Sequence, residues 1–251
     1  MLVFVSYHPS GRLLFDSLEI ENKQYLFRPQ VVETGRRKYF LVRWGSRARC
    51  RFRPSFVLNS KTAISNSTHR IKMYSHFCDG GVLTPLLPYP TFPCFAFLSR
   101  SERGNGVVFV FSAEDVHHLR QLGYDVVLYS APIRIKREYR VHVVIDQMPR
   151  WLALEKQRPR EFSSSMFLIR NAENGYRFRY CEIENPLGWE CVKAVRSLGL
   201  DFGAVDCCED DLGHYWIFEV NTAPGLRGES QTVEFYKGFI QAKYEQWKRM
   251  R

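Results

Sequence analysis

Residues 201–225, Asp-Phe-Gly-Ala-Val-Asp-Cys-Cys-Glu-Asp-Asp-Leu-Gly-His-Tyr-Trp-Ile-Phe-Glu-Val-Asn-Thr-Ala-Pro-Gly, constrain this chain more than any other stretch. They read as two strands joined by a polar turn. Residues 204–208 are mostly apolar, 209–213 are acidic and end in glycine, and 215–220 are aromatic and β-branched. Successive side chains of a strand face opposite ways, so Glu219 and Asn221 share a face and Val220 points away. Pairing across the turn brings Asp206 toward that end of the second strand. Two carboxylates and a carboxamide then converge. Like charges at close range repel, and one carboxyl pKa rises. A hard divalent cation such as Mg²⁺, which takes oxygen ligands, removes the repulsion. The competing reading is an exposed hairpin with solvated acids. The apolar flanks and the tight Asn-Thr-Ala-Pro-Gly turn favour the metal site.

Size and charge limit the function classes. With 251 residues, 45% of them hydrophobic, the chain can build one large domain or two small ones with a real core. It has no low-complexity run, and no apolar stretch of membrane-spanning length. The first residues lack a basic segment followed by an apolar run, so no signal peptide is expected. Seven cysteines without a Cys-x-x-Cys pair argue against a zinc site and for reduced, mostly buried thiols in the cytoplasm. A net charge of +10 points to an anionic partner: nucleic acid, a nucleoside triphosphate or an acidic substrate. A generally basic surface is the plainer alternative.

In chain order, residues 2–7, 24–28 and 38–44 read as short strands, with turns at Gly11-Arg12 and 33–38. Residues 43–53 are basic with interleaved aromatics, which suits either nucleic acid or an N-terminal substrate-side surface. Residues 59–77 form one helix or two, N-capped near Asn59 and Ser60, with Ile71, Tyr74 and Phe77 at helical spacing. A break at Asp79-Gly-Gly-Val-Leu-Thr-Pro follows. Strands at 93–100 and 107–111 flank a glycine-containing loop at 101–106, and Gly104 and Gly106 let its backbone approach phosphates. Ser112 and Asp115 open a helix that ends at Leu122-Gly123. In residues 131–145, Glu138, Arg140 and His142 alternate with apolar partners, giving one functional face, or else a structural Glu138–Arg140 ion pair. A strand-like run from Trp151 delivers Lys156 or Arg158 toward phosphate or an acidic substrate. Helices follow at 186–198 and 232–248.

Asp206, Glu219 thirteen positions on and Asn221-Thr-Ala-Pro-Gly together resemble the metal signature of ATP-grasp enzymes. The likeness is greatest to D-alanine–D-alanine ligase and the ribosomal-protein glutamate ligases. Glu138-Tyr-Arg-Val resembles the family's second signature. The resemblance implies an α+β ATP-grasp fold, two α+β subdomains (58–130 and 131–251) clasping ATP, after a short β-rich N-terminal module (1–57). It implies Asp206, Glu219 and Asn221 as ligands of two Mg²⁺ ions, with Mn²⁺ an alternative. Arg100 then contacts the α-phosphate, Gly104 and Gly106 belong to the phosphate loop, and Lys72 is the basic residue of the entry helix. Ala131 to Ile133 form the adenine hinge, Lys136 and Lys156 border the nucleotide, and Glu138 binds the ribose. Arg140, Arg170 and Asn171 act at the transferring phosphate or the substrate. The hinge lacks the family's acid at Ala131, and the glycine loop is short.

The implied reaction joins a carboxylate to an amine through an acylphosphate, with small-molecule or peptide substrates. The compact size also resembles small phage amide ligases, which would act in the host cytoplasm. Alternatives are an ATP-grasp kinase acting on an anionic small molecule and a non-catalytic nucleic-acid-binding protein. An oligomer is compatible with either.

Overall fold

A computed structural model of the chain describes residues 1–34, 38–102, 105–157, 176–226 and 230–250, without the side chains of 100–105. The N-terminal elements are β1 (Leu2–Ser6), α1 (Ser10–Ser17), β2 (Lys23–Phe27), β3 (Val31–Val32), β4 (Phe40–Trp44), β5 (Arg49–Cys50) and β6 (Phe56–Leu58). β2, β1, β4 and β6 form a wholly parallel sheet in that order, and β3 pairs with β5. Parallel strands require crossover connections, and α1 supplies the first of them. The turn expected at Gly11-Arg12 is instead the start of this helix. Leu14, Phe15 and Leu18 repeat at helical spacing and are buried. Gly11 lets α1 lie close to β1: a Cβ there would stand 2.3 Å from Ser6 Oγ.

Next come α2 (Lys61–Thr68), α3 (Arg70–Asp79), β7 (Leu86–Leu87), β8 (Cys94–Glu102), β9 (Asn105–Val110), α4 (Ala113–Gln121) and β10 (Val126–Ser130). Ser60 caps α2 through Ala63 N. Asn59 has a positive φ of 58° and serves a different purpose. Its side chain donates to Phe202 O and accepts from the backbone N–H groups of Asp201 and Phe202. A second sheet has the order β7-β10-β8-β9. The loop expected at 101–106 is shorter than that, because β8 and β9 pair as far as Glu102 and Asn105. Ser112 and Asp115 form the expected capping box on α4.

The last elements are β11 (Ile135–Val144), β12 (Arg150–Gln157), β13 (Arg177–Cys181), α5 (Asn185–Ser197), β14 (Phe202–Asp210), β15 (Tyr215–Asn221) and α6 (Ser230–Arg249). The strands make an antiparallel sheet ordered β13-β12-β11-β14-β15. The hairpin strand β14 runs further than 204–208, because the Asp210 carboxylate organises the turn. It accepts from the backbone N–H groups of Leu212 and His214 and from Trp216 Nε1, so the turn moves beyond it. One core packs α2, α3 and α5 against this sheet. Another joins α6 to one face of the N-terminal sheet, where Trp44, Phe202 and Tyr236 meet. No helix among the described residues is long and apolar enough to cross a membrane.

Candidate active site

β11, β14 and β15 lie side by side, and their register lines up the chemistry. Arg140 is opposite Asp206, Asp206 is opposite Glu219, and Ala204 is opposite Asn221. A register shift after Asp206 adjusts the hairpin at this point. Arg140 donates from Nε and Nη2 to the two oxygens of Asp206 at 2.7 and 2.8 Å, the fork geometry that makes such pairs strong. Asn221 Nδ2 donates to Asp206 Oδ2 at 3.2 Å and to Glu219 Oε1 at 3.1 Å. The structure therefore brings Asp206, Glu219, Asn221 and Arg140 into one hydrogen-bonded group.

A second pair adjoins it. Glu138 is two residues before Arg140 on β11, on the same face. It is buried and receives a hydrogen bond from Lys156 Nζ of β12. Glu138 thus pairs with Lys156, and Arg140 with Asp206. Phe178 of β13 lies beneath both cations, its ring centroid 4.8 Å from the Arg140 guanidinium carbon and 5.8 Å from Lys156 Nζ.

One charged residue that acts on the acids was missed in the sequence. Arg70, in the first turn of α3, sits over Phe97 at 4.4 Å and acts electrostatically on Glu219. Lys72 is exposed. The buried positions of α3 are Met73 and Phe77, whereas Ile71 is exposed. Arg70 is three residues before Met73 and so lies on the inner face, which Ile71 and Lys72 do not share. The signal was Arg-x-x-Met-x-x-x-Phe, hidden by the competing apolar series through Ile71.

The two carboxylates titrate in opposite directions. Burial pushes Asp206 upward, but the charge and hydrogen bonds of Arg140, aided by Lys156, hold it below the usual carboxylate range. Burial also raises Glu219, the negative charge of Asp206 raises it further, and Arg70, Asn221 and Arg140 offset this only in part. His142, bonded through Nδ1 to Tyr236 Oη, is pushed down to about 3 by burial and by Arg140. It is neutral at ordinary pH.

The remaining candidates are spread out. The Ala131 N–H donates to Pro85 O at 2.9 Å, continuing the β10–β7 pairing. Ile133 is half-buried in the link from β10 to β11. Lys136 is exposed and bonded to Glu209 Oε1 at 2.6 Å, apart from the Glu138–Lys156 pair. Gly106 takes a φ of +86°, which favours glycine. Arg100 lies in β8 with its side chain outside the described residues, and Gly104, Arg158, Arg170 and Asn171 also lie outside them.

The donor set suits a hard divalent cation. Among the described residues no group of three His, Cys, Asp or Glu side chains forms a metal cluster. Here the donors are two carboxylates and one carboxamide, all oxygen ligands once the Asn221 amide presents Oδ1. A cation would also lift the repulsion that raises Glu219. The turn after Asn221 is braced by the N-terminal elements. Ser10 Oγ donates to Pro224 O at 2.7 Å and receives Trp44 Nε1 at 3.0 Å.

Comparison with known proteins adds to this geometry. No family model matches the chain. Over 48 residues, 19% of the chain, it is 46% identical to a D-alanine–D-alanine ligase of Marinomonas sp. (strain MWYL1) and 35% identical to one of Acinetobacter baumannii. These matches span 15% and 16% of the relatives' length. Solved structures align far more widely. The ATP-grasp ligase PsnB, complexed with a minimal precursor, Mg and ADP, superposes with a TM-score of 0.61 at 16% identity, covering 92% of both chains. The VanG D-Ala:D-Ser ligase of Enterococcus faecalis gives 0.62 at 13% identity, covering 91% of this chain and 92% of that one. The macrocyclase MdnC of Microcystis aeruginosa MRC, bound with the precursor peptide MdnA, gives 0.57 at 13% identity, covering 89% and 91%. The chain has the ATP-grasp fold.

Proposed function

We propose that this chain is an ATP-dependent carboxylate–amine ligase that forms an amide through an acylphosphate. The observation that carries the reading is the row Arg140–Asp206–Glu219 across three adjacent strands, with Asn221 bonded to both acids. Asp206, Glu219 and Asn221 would hold Mg²⁺, which neutralises charge on the transferring phosphoryl group. In this reading Glu138 meets the ribose hydroxyls. Arg140 and Lys156 each neutralise a carboxylate in the present arrangement, and near a triphosphate they turn part of that charge to its oxygens. Arg70 adds positive charge beside Glu219. By resemblance, Arg100 contacts the α-phosphate, and Arg170 and Asn171 serve the transferring group. The substrate carboxylate attacks the γ-phosphorus and ADP departs. The amine nitrogen then attacks the acyl carbon, phosphate departs, and the nitrogen loses a proton.

Residues 1–57 form the substrate-side module in this reading, and 58–130 and 131–251 are the two halves around the nucleotide. The acid and amine are small molecules or peptides; the structural neighbours include a D-Ala:D-Ser ligase and a macrocyclase bound with a precursor peptide. Reduced thiols, with the seven cysteines unbridged, suit the cytoplasm. The test is incubation with ATP, Mg²⁺ and pools of acids and amines, read by mass spectrometry. A ligase forms the amide, with ADP and phosphate released, only when acid and amine are both present. A kinase leaves the phosphate on its product. Unchanged ATP consumption in Glu219→Ala would sink the proposal.

A further inference from the structure

The basic stretch 43–53 remains outside this site, and its alternation has a structural meaning. Arg47, Arg49, Arg51 and Arg53 are exposed, while Ala48, Cys50 and Phe52 between them pack into the core under β1 and β4. One arginine in the stretch is buried: Arg43 donates to Ser46 O at 3.1 Å, Ala48 O at 2.9 Å and Cys50 Sγ at 3.2 Å. It pins residues 46–50 to β4, while β5 pairs with β3 from the other direction. The exposed arginines are thus carried on a fixed backbone.

Two of them face a cleft of about 700 Å³ that lies beside β6. Arg49, Arg53 and Lys61 bring positive charge to it, Phe56 and Val57 of β6 bring apolar surface, and none of its lining residues is acidic. β6 is the last strand of its sheet among the described residues, so one of its edges has no neighbouring strand. An edge strand presents backbone N–H and C=O groups that another extended chain can pair with.

The aromatics argue against nucleic acid as the occupant. Single-stranded nucleic acid binds by stacking bases on exposed rings. Phe56 is stacked on Phe40 at 4.8 Å and 8°, and Phe52 packs into the core. Neither ring is available as a platform. We propose that this cleft docks an extended acidic polypeptide segment, which adds to the free edge of β6 and places its carboxylates against Arg49, Arg53 and Lys61. Alternate residues of such a segment face the cations and the others fall on the opposite side, where Phe56 packs, the two-residue period of a strand. The site is separate from the carboxylate row and stands whether or not the chain is a ligase.

The probe is a fluorescein-labelled peptide alternating Glu and Val, of about ten residues, long enough to run past the three-residue strand β6. Its binding to the full chain is followed by anisotropy at low salt. Wild type binds, and Arg49→Ala/Arg53→Ala binds about tenfold more weakly, as expected for two partly exposed ion pairs. The same peptide with N-methylated backbone amides also binds at least about tenfold more weakly, because it cannot join the edge. The charge-reversed variant Arg49→Glu/Arg53→Glu binds a Lys-Val peptide in place of the Glu-Val one, which separates lost charge from lost folding. Absence of wild-type binding, indifference to the substitutions, equal binding of the N-methylated peptide, or tighter binding of a single-stranded RNA of equal charge would each overturn the proposal.

Discussion

The N-terminal parallel sheet and the five-stranded antiparallel sheet treat charge in opposite ways. β1 and β4 are buried along their whole length, and both faces of their sheet meet apolar cores. Their single buried charge, Arg43, holds backbone carbonyls. β11 and β14 are equally central, yet they bury Glu138, His142, Asp206 and Asp210. Burying ionised groups costs several kcal/mol each unless they are paired. The five-stranded sheet meets that cost on one face, where Arg140 pairs with Asp206 and Lys156 with Glu138, and Arg70 of α3 acts on Glu219, while its other face supplies an ordinary apolar core. Both faces of the N-terminal sheet are scaffold. The five-stranded sheet is scaffold on one side and a charged site on the other.

The sharpest way to break that contrast is to remove charge from the site while keeping its shape. Glu219→Gln is expected to lower turnover at least about a thousandfold, because in the proposed reading a ligand for the metal is lost. The same change should raise the melting temperature, since Glu219 is destabilised by burial and by Asp206. Asp206→Asn should also abolish turnover but lower stability by about 3–5 kcal/mol, because Arg140 loses its buried partner. ADP release and thermal unfolding of both variants decide the matter. A less stable Glu219→Gln would mean that its carboxylate is a structural element.

The matching test on the scaffold is Trp44→Ala. Trp44 is fully buried against Phe4, Phe202 and Tyr236, so truncation should cost about 3–5 kcal/mol in denaturant unfolding. A cost below about 1 kcal/mol would show that the parallel sheet yields to cavities and is not a rigid platform.

The readable parts of the chain were those where local pattern and tertiary role agree. The two-residue period of β15 separates Glu219 and Asn221 from Val220, and strand pairing alone then brings Asp206 to them. Glu138 and Arg140 were legible as one face, but their partners were not, because the register that sets Lys156 of the next strand beside Glu138 is a tertiary outcome and Asp206 comes from a strand 66 residues on. Arg70 was lost because two apolar series overlap in α3, and only packing on α5 and the sheet selects Met73 and Phe77. Helix α1 was hidden by Pro-Ser-Gly, a turn signal that here opens a helix, since the parallel neighbours of β1 demand a crossover.

A gentler probe of the charged face is pH. The folded-state pKa of His142 is about 3, against about 6.5 when exposed. Between these values the unfolded chain holds more protons, so stability falls as pH drops from about 6.5 toward 3 and is unaffected above that window. This one group contributes a slope of up to about 1.4 kcal/mol per pH unit. Unfolding curves at pH 5 and 7 should therefore differ less in His142→Gln than in wild type. An unchanged pH dependence would show that the ring is not held neutral by its site.

The smallest expected effect lies where the two sheets meet. Gly45 follows β4 with a φ of +69°, and a Cβ there would stand 2.7 Å from Ala223 Cβ in the turn after Asn221. Gly45→Ala should thus act twice. The positive φ costs about 1–2 kcal/mol of stability, and the clash pushes the turn that carries Asn221, lowering turnover. These consequences are separable. Adding Ala223→Gly removes the clash and leaves the backbone strain, so the double variant should recover turnover while staying less stable. If turnover does not recover, the scaffold does not set the position of Asn221 through this contact. If stability recovers as well, the strain at Gly45 is not the cause of its loss.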